Sequence, residues 1–252
     1  MEPLLKLDKV CKKFGGVVAA KDITLDVIAG EVHGLIGPNG AGKTTIMNLI
    51  SGIFPMDSGA IYLNSDNITN MPSYKRARTG IGRTFQTPRF LQRSSVRDNL
   101  YLGTDLHDQI SFTKSLFGKK STDFTGELTE LMTYADFDFD WDDDISAIPF
   151  GQRKLLEIVR AMLAHPKIIL VDEPAAGLTS KEIYKAKSLL NVAARTRNIG
   201  VMLIEHQMEL VMGICDRIDV LNFGEIIAYG KPKEIASNPV VIEAYLGRDT
   251  DA

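Results

Sequence analysis

The segment Gly37-Pro-Asn-Gly-Ala-Gly42-Lys43-Thr44-Thr45 constrains this chain more than any other. It fits GxxxxGK[ST], follows the apolar run Val32, Leu35 and Ile36, and leads into Thr44 to Ile50, which is helical in composition and can be closed by Gly52. A strand, a glycine-rich turn and a helix N-terminus in that order make a phosphate nest. Glycine lets the backbone approach closely, unpaired N–H groups and the helix dipole face the anion, and Lys43 adds a full charge. Each charge-assisted hydrogen bond is worth roughly 1.5–3 kcal/mol, so several together supply most of a micromolar affinity. Gly37, Pro38, Asn39, Gly40, Ala41, Gly42, Lys43, Thr44 and Thr45 are therefore the expected nucleotide-binding residues, with the Thr44 hydroxyl an expected Mg²⁺ ligand.

A second constellation is Ile168-Ile169-Leu170-Val171-Asp172-Glu173. Four buried-type residues end in two carboxylates at a strand's C-terminal end, where open α/β sheets bind ligands. Both acids are expected to face the nucleotide. Asp172 is placed to hold Mg²⁺, and Glu173 to polarise an attacking water, a general-base role worth roughly 10²–10⁴-fold in rate.

The surrounding pattern predicts the scaffold. Leu5, Leu7 and Val10, then Ile23, Leu25 and Val27, alternate as antiparallel strands, and alternation resumes at Ile61 and Leu63 and around Ile81 to Phe85. Ser73 to Thr79 reads as a short basic-faced helix. From about Thr87 to Pro149 the texture changes to helical patches, Val96 to Leu106 and Gly126 to Phe137, separated by a polar linker through Gly118, Lys119 and Lys120. Beyond Gly151, Leu155, Leu156, Val159, Met162 and Leu163 share one helical face, and Pro166 stops that helix after His165. The runs Ile168 to Val171 and Val201 to Ile204 flank a helix over Ser180 to Arg197, a β-α-β alternation that predicts a parallel sheet covered on both faces. Arg217 to Phe223 and Gly224 to Gly230 read as a strand hairpin, followed by two short helices starting near Lys233 and Pro239.

Composition narrows the function classes. The net charge of -3 gives no global electrostatic reason to expect nucleic acid as a partner. Cys11 and Cys215 stand in apolar-rich stretches without CxxC spacing and read as small buried hydrophobes. MEPLLKLDKV alternates apolar and charged residues and so lacks a signal peptide's apolar core. No stretch approaches the roughly 18 apolar residues of a membrane span. Arg83, Arg89, Arg93 and Arg97 read as a solvated basic face, and the acidic run Asp136 to Asp144 receives no role.

Several P-loop NTPases would fit the loop and the acidic strand. Their order with other residues narrows the choice: Phe14 upstream, Gln86 after Gly82-Arg-Thr-Phe85, Gly151-Gln152 opening the helix before the acidic strand, and His206 after Ile204-Glu205. This order resembles the ATP-binding cassette (ABC) family across almost the whole chain. The resemblance implies a fold of α/β class: a P-loop NTPase core with a mixed sheet, an N-terminal antiparallel β subdomain and an inserted α-helical subdomain over approximately residues 87–160, all within one nucleotide-binding domain of residues 1–252. It implies that Phe14 stacks on adenine, that Gln86 senses Mg²⁺, the γ-phosphate and a transmembrane partner, that His206 contacts the γ-phosphate, and that Ala175 to Leu178 contacts a second subunit. The catalytic set it implies is Glu173, His206 and Gln86, with ATP and Mg²⁺ bound and Thr44, Gln86 and Asp172 around the metal.

One motif departs from the family pattern. The LSGGQ signature appears as Ile148-Pro149-Phe150-Gly151-Gln152, without the serine hydroxyl and with a proline that offers no N–H. In the family this segment caps the ATP of the opposite subunit. The implied contacts here are the amides of Phe150 and Gly151, the Gln152 side chain and the dipole of the helix they begin. The variant is similar to the LPYGQ form of the branched-chain amino acid transport subfamily. Gly82-Arg-Thr-Phe-Gln-Thr-Pro88, Asp172-Glu-Pro-Ala-Ala-Gly-Leu178 and Asn238-Pro239 through Ala244-Tyr-Leu-Gly247 resemble that subfamily as well. The resemblance implies an ATP-hydrolysing importer subunit on the cytoplasmic face of the inner or plasma membrane. Its implied partners are a second cassette, identical or not, transmembrane permease subunits and, indirectly, a periplasmic or extracellular solute-binding protein. The alternatives are the cassette of a related system such as a lipopolysaccharide exporter, a soluble non-transport ABC ATPase, and a weakly active half of an asymmetric dimer.

Overall fold

A computed structural model describes residues 2–108, 124–137 and 139–246. The linker through Gly118 to Lys120 and the terminal Gly247 lie outside the described residues. The chain opens with β1 (Leu5–Phe14), β2 (Val17–Val27), β3 (Val32–Ile36), α1 (Lys43–Ile50), β4 (Ser58–Leu63), β5 (Asp66–Asn67) and α2 (Ser73–Thr79). It continues through β6 (Ile81–Arg83), α3 (Val96–Asp108), α4 (Phe124–Ala135), α5 (Phe150–Leu163), β7 (Ile168–Asp172) and α6 (Ser180–Asn191). It ends with β8 (Gly200–Ile204), α7 (Met208–Ile214), β9 (Arg217–Asn222), β10 (Glu225–Gly230), α8 (Pro232–Ala236) and α9 (Pro239–Leu246).

The strands form two sheets, an antiparallel one ordered β2-β1-β4-β5 and a larger one ordered β10-β9-β3-β8-β7-β6. In the larger sheet β9, β3, β8, β7 and β6 run parallel, with β10 antiparallel at one edge. The parallel strands are continuous apolar runs because both faces are covered. Alternation decides which face each residue serves. Ile169, Val171, Val201 and Leu203 pack against the helices, while Ile168, Leu170, Met202 and Ile204 join the core shared with α1 and the antiparallel sheet. In the small sheet the pairs Leu5 with Val27 and Leu7 with Leu25 set the buried face of the alternating N-terminal segment.

The expected helix over Ser180 to Arg197 is regular only to Asn191 and then widens into a π-helical turn over Val192–Thr196. The strand expected over Ile81 to Phe85 pairs only through Arg83. The short β5 and α7 carry too few residues for a period to show. Among the described residues, no helix is long and apolar enough to cross a membrane.

Candidate active site

The loop after β3 is built by close approach. Gly42 caps α1 with φ 109° in the left-handed region and no side-chain cap bond, and a Cβ there would lie 2.3 Å from the Ala19 carbonyl oxygen. Only glycine fits both the angle and the space. Lys43 is buried and folds back on the loop, its Nζ donating to the carbonyls of Gly37 at 2.7 Å and Pro38 at 3.0 Å. Thr44, Asn39 and Gly40 are exposed at the mouth, and Thr45 is half-buried behind them.

The carboxyl ends of β6, β7 and β8 supply the other wall. Gln86 Nε2 donates to Glu173 Oε2 at 2.8 Å, and His206 Nδ1 stands 3.8 Å from Glu173 Oε1. Gly37, Pro38, Asn39, Gln86, Glu173 and His206, with Tyr245 of α9, bound one cavity of about 420 Å³. Glu173 has φ 46°, a left-handed conformation that costs a non-glycine residue about 1–3 kcal/mol and persists only where its surroundings over-determine it. Its N–H donates to the Ile204 carbonyl at 2.9 Å, and its own carbonyl accepts from Lys154 Nζ at 2.7 Å. Glu205, fully buried, accepts from the amides of Ala175, His206 and Gln207, so it clamps the two loops together.

Asp172 does not line the cavity; it is buried beside it, with Arg83 Nη2 at 3.6 Å from Oδ2. Burial pushes its carboxyl above the ordinary carboxylate range, against the opposing pull of Arg83 and with the neighbouring Glu173 charge adding to the rise. Arg83 is thus no part of a solvated basic face: its Nη1 also donates to Asn48 at 2.7 Å, because two carboxylates at the end of β7 call for a nearby cation.

The signature segment does not meet the chain's own loop. Pro149 precedes α5 without a side-chain cap bond, Phe150 is 41% exposed, and neither it, Gly151 nor Gln152 lines the cavity. A Cβ on Gly151 would stand 2.0 Å from a Glu182 carboxylate oxygen, so a larger residue there would require the Glu182 side chain to move. Gln152 Oε1 is buried with no hydrogen-bond partner among the described residues. Phe14 is also separate, on the antiparallel sheet, 42% exposed and edge-on to Phe54 at 5.4 Å. Cys215 is buried, but Cys11 is only half so, its Sγ lying 3.4 Å from Asp22 Oδ1.

Sequence reasoning missed Lys154, Glu205 and Tyr245. Lys154 and Glu205 lie beside motif residues, yet a buried charge within an apolar helical or strand pattern has no local signature; Tyr245 was legible only as part of an ending.

Comparison with known proteins shows the family. Residues 20–176 match the ABC transporter family model, and residues 225–251 match that of the branched-chain amino acid ATP-binding cassette transporter. The chain is 38% identical over 255 residues to the high-affinity branched-chain amino acid transport ATP-binding protein BraF of Pseudomonas aeruginosa, covering 97% of this chain and 98% of that one. It is 37% identical to LivG of Escherichia coli, of the same description, with 98% of each covered. The lipopolysaccharide export system ATP-binding protein LptB of Escherichia coli is 34% identical, with 97% of this chain and 98% of that one covered. A solved ATP-binding cassette of an ABC transporter in its ADP conformation superposes with a TM-score of 0.83 at 31% identity, covering 98% of this chain and all of that one. The chain belongs to the ABC transporter family and is an ATP-hydrolysing cassette of it.

Proposed function

We propose that the chain is the ATPase of an importer for branched-chain amino acids or similar small polar solutes, working as one of two cassettes that close head to tail around two ATP molecules. The observation that carries the catalytic part is the single cavity shared by Gly37 to Asn39, Gln86, Glu173 and His206. In it Glu173 accepts a proton from water as the water oxygen attacks the γ-phosphorus and the bond to the bridging oxygen breaks. Gln86 orients the carboxylate, Lys43 and the loop amides hold the phosphates, and His206 contacts the γ-phosphate. Phe14 stacks on adenine. Phe150, Gly151 and Gln152, standing apart from this chain's own cavity, cap the nucleotide of the partner cassette.

The residues also suit Mg²⁺. Thr44, Gln86 and Asp172 offer oxygen donors, and burial disfavours the charge on the Asp172 carboxyl, which a nearby divalent cation would favour. Bound there, it would neutralise charge on the phosphate oxygens.

A groove of about 540 Å³, lined by Ile53, Tyr74, Phe85 and Leu102 among others, lies between α2, α3 and α5. It is the place for a cytoplasmic helix of a permease subunit, which would seat the cassette at the membrane. The substrate class rests on the C-terminal family match and on the higher identity to the Pseudomonas and Escherichia branched-chain proteins, 38% and 37%, than to the lipopolysaccharide exporter's, 34%. Purification from membranes tests it: the expected result is copurifying permease subunits whose vesicles take up leucine-like amino acids on ATP addition, and lipid-export subunits in their place would contradict it. Replacing Lys43 by Ala is expected to weaken equilibrium ATP affinity by about 10- to 100-fold, the worth of a charge-assisted contact. Unchanged affinity in a nucleotide titration would count against the loop assignment.

A further inference from the structure

Lys154 lies on α5, two residues beyond the signature segment, and is 5% exposed. A lysine is rarely buried without a partner. Its Nζ donates to the Glu173 carbonyl at 2.7 Å and stands 5.7 Å from the centre of the Phe150 ring. Burial holds its pKa down, while the charges of Glu205, Glu173, Glu157 and Asp172 pull it back up.

Glu173, the residue it grips, has the left-handed φ of 46°. The backbone at such a position relaxes unless it is held, and a relaxed Glu173 would swing its carboxylate away from Gln86 and the cavity. The Ala176 N–H also reaches that carbonyl, at 3.3 Å, but from within the same turn. Lys154 holds it from a different element of the fold.

We propose that Lys154 is a positioning residue for ATP hydrolysis: it locks the strained Glu173 backbone and ties the catalytic carboxylate of each chain to its own signature helix. The Phe150 ring lies beside Gly177 of the same turn, its edge 3.3 Å from where a Cβ there would stand, so the helix end borders both flanks of residues 173–177. A shift of α5 when Phe150 to Gln152 engage the partner's nucleotide is therefore delivered to Glu173. The inference rests on the reading of Glu173 as the base.

The test is steady-state ATP turnover and equilibrium ATP affinity of the full chain carrying Lys154→Met, with Lys154→Arg and Glu173→Gln alongside. Misplacing a catalytic group by about 1 Å costs up to about 10²-fold, so Lys154→Met is expected to lower kcat by about 10- to 100-fold. Its KM and nucleotide affinity are expected to stay within about twofold, since no contact to the phosphates is removed. Lys154→Arg, which restores a cation and donors, is expected to recover most of the lost kcat. In a Glu173→Gln background Lys154→Met is expected to lower the residual turnover by less than about twofold, because residues that act as one unit are not additive. If Lys154→Met does not fold, Lys154→Gln, which keeps a donor without charge, is read against Lys154→Arg by the same criteria. Turnover of the folded variant within about twofold of the parent, or equal losses of kcat and affinity, would overturn the proposal. If Glu173→Gln itself retains the parent rate, the base assignment fails and the inference falls with it. If Glu173→Gln is inactive while Lys154→Met is active, only the inference fails.

Discussion

The two ends of one parallel sheet handle charge in opposite ways. At the amino ends of β3 and β9, Glu31, His33, Arg217 and Asp219 close on one another. His33 Nε2 meets Asp219 at 2.8 Å, and Arg217 meets Glu31 at 2.6 Å and Asp26 at 2.9 Å. At the carboxyl ends of β6, β7 and β8, Glu157 and Glu205 accept from backbone amides and Glu173 from the Gln86 side chain, with Arg83 no nearer to Asp172 than 3.6 Å and Lys154 spending a hydrogen bond on a carbonyl. The first end is a closed lock that stabilises the fold. The second holds four carboxylates, one of them on a strained residue that borders an open cavity, and it lies where open α/β sheets bind ligands. Stability and function are therefore concentrated at opposite ends of the same sheet.

The largest expected effect tests the lock. Replacing Asp219 by Ala leaves the buried His33 ring without its 2.8 Å partner, and breaking a buried pair in this way costs about 3–5 kcal/mol. The urea midpoint is expected to fall accordingly. A shift of only a few tenths of a kcal/mol would dissolve the contrast between the two ends.

A somewhat smaller effect is expected from pH. Burial alone would push His33 down, but Asp219 and Glu31 draw it from 6.5 up to about 9. Below pH 6.5 the ring is protonated in folded and unfolded chains alike, and its pairing contributes in full. Between 6.5 and about 9 only the folded ring keeps its proton, so that contribution, about 3 kcal/mol, is lost as pH rises through the folded value. Burial would likewise raise Glu31, but His33 and Arg217 hold it at about 2, so its contribution is present above 4.5 and disappears as pH falls toward 2. Thermal melts across pH 6 to 10 are expected to show the alkaline loss, and His33→Gln to flatten it.

The smallest stability effect is expected at the other end. Because burial disfavours the charged form of the Asp172 carboxyl, Asp172→Asn is expected to leave the urea midpoint unchanged or slightly raised while ATP turnover is lost. A clear loss of stability would mean that both ends serve the fold.

The functional end was the more legible in the sequence. Gly37 to Thr45 and Asp172-Glu173 are contiguous, and their chemistry dictates spacing, so pattern alone located them. The continuous apolar runs of β7 and β8 likewise marked them as parallel strands covered on both faces. The lock was invisible, since His33 and Asp219 stand 186 positions apart and His33 reads as one more residue in an apolar strand. Lys154 was hidden for a related reason: a helical period shows that a residue is buried, not what charge waits opposite it. The π-helical turn after Asn191 also left no trace, because its composition continues that of α6.

The most direct test of the ATPase site is the turnover rate of Glu173→Gln at saturating ATP, with equilibrium ATP affinity measured in the same preparation. Turnover is expected to fall by about 10²–10⁴-fold with affinity unchanged, because the variant keeps the size and hydrogen bonding of the side chain and removes only its capacity to take a proton. Hydrolysis at the parent rate would contradict the assignment of this cavity as the catalytic centre.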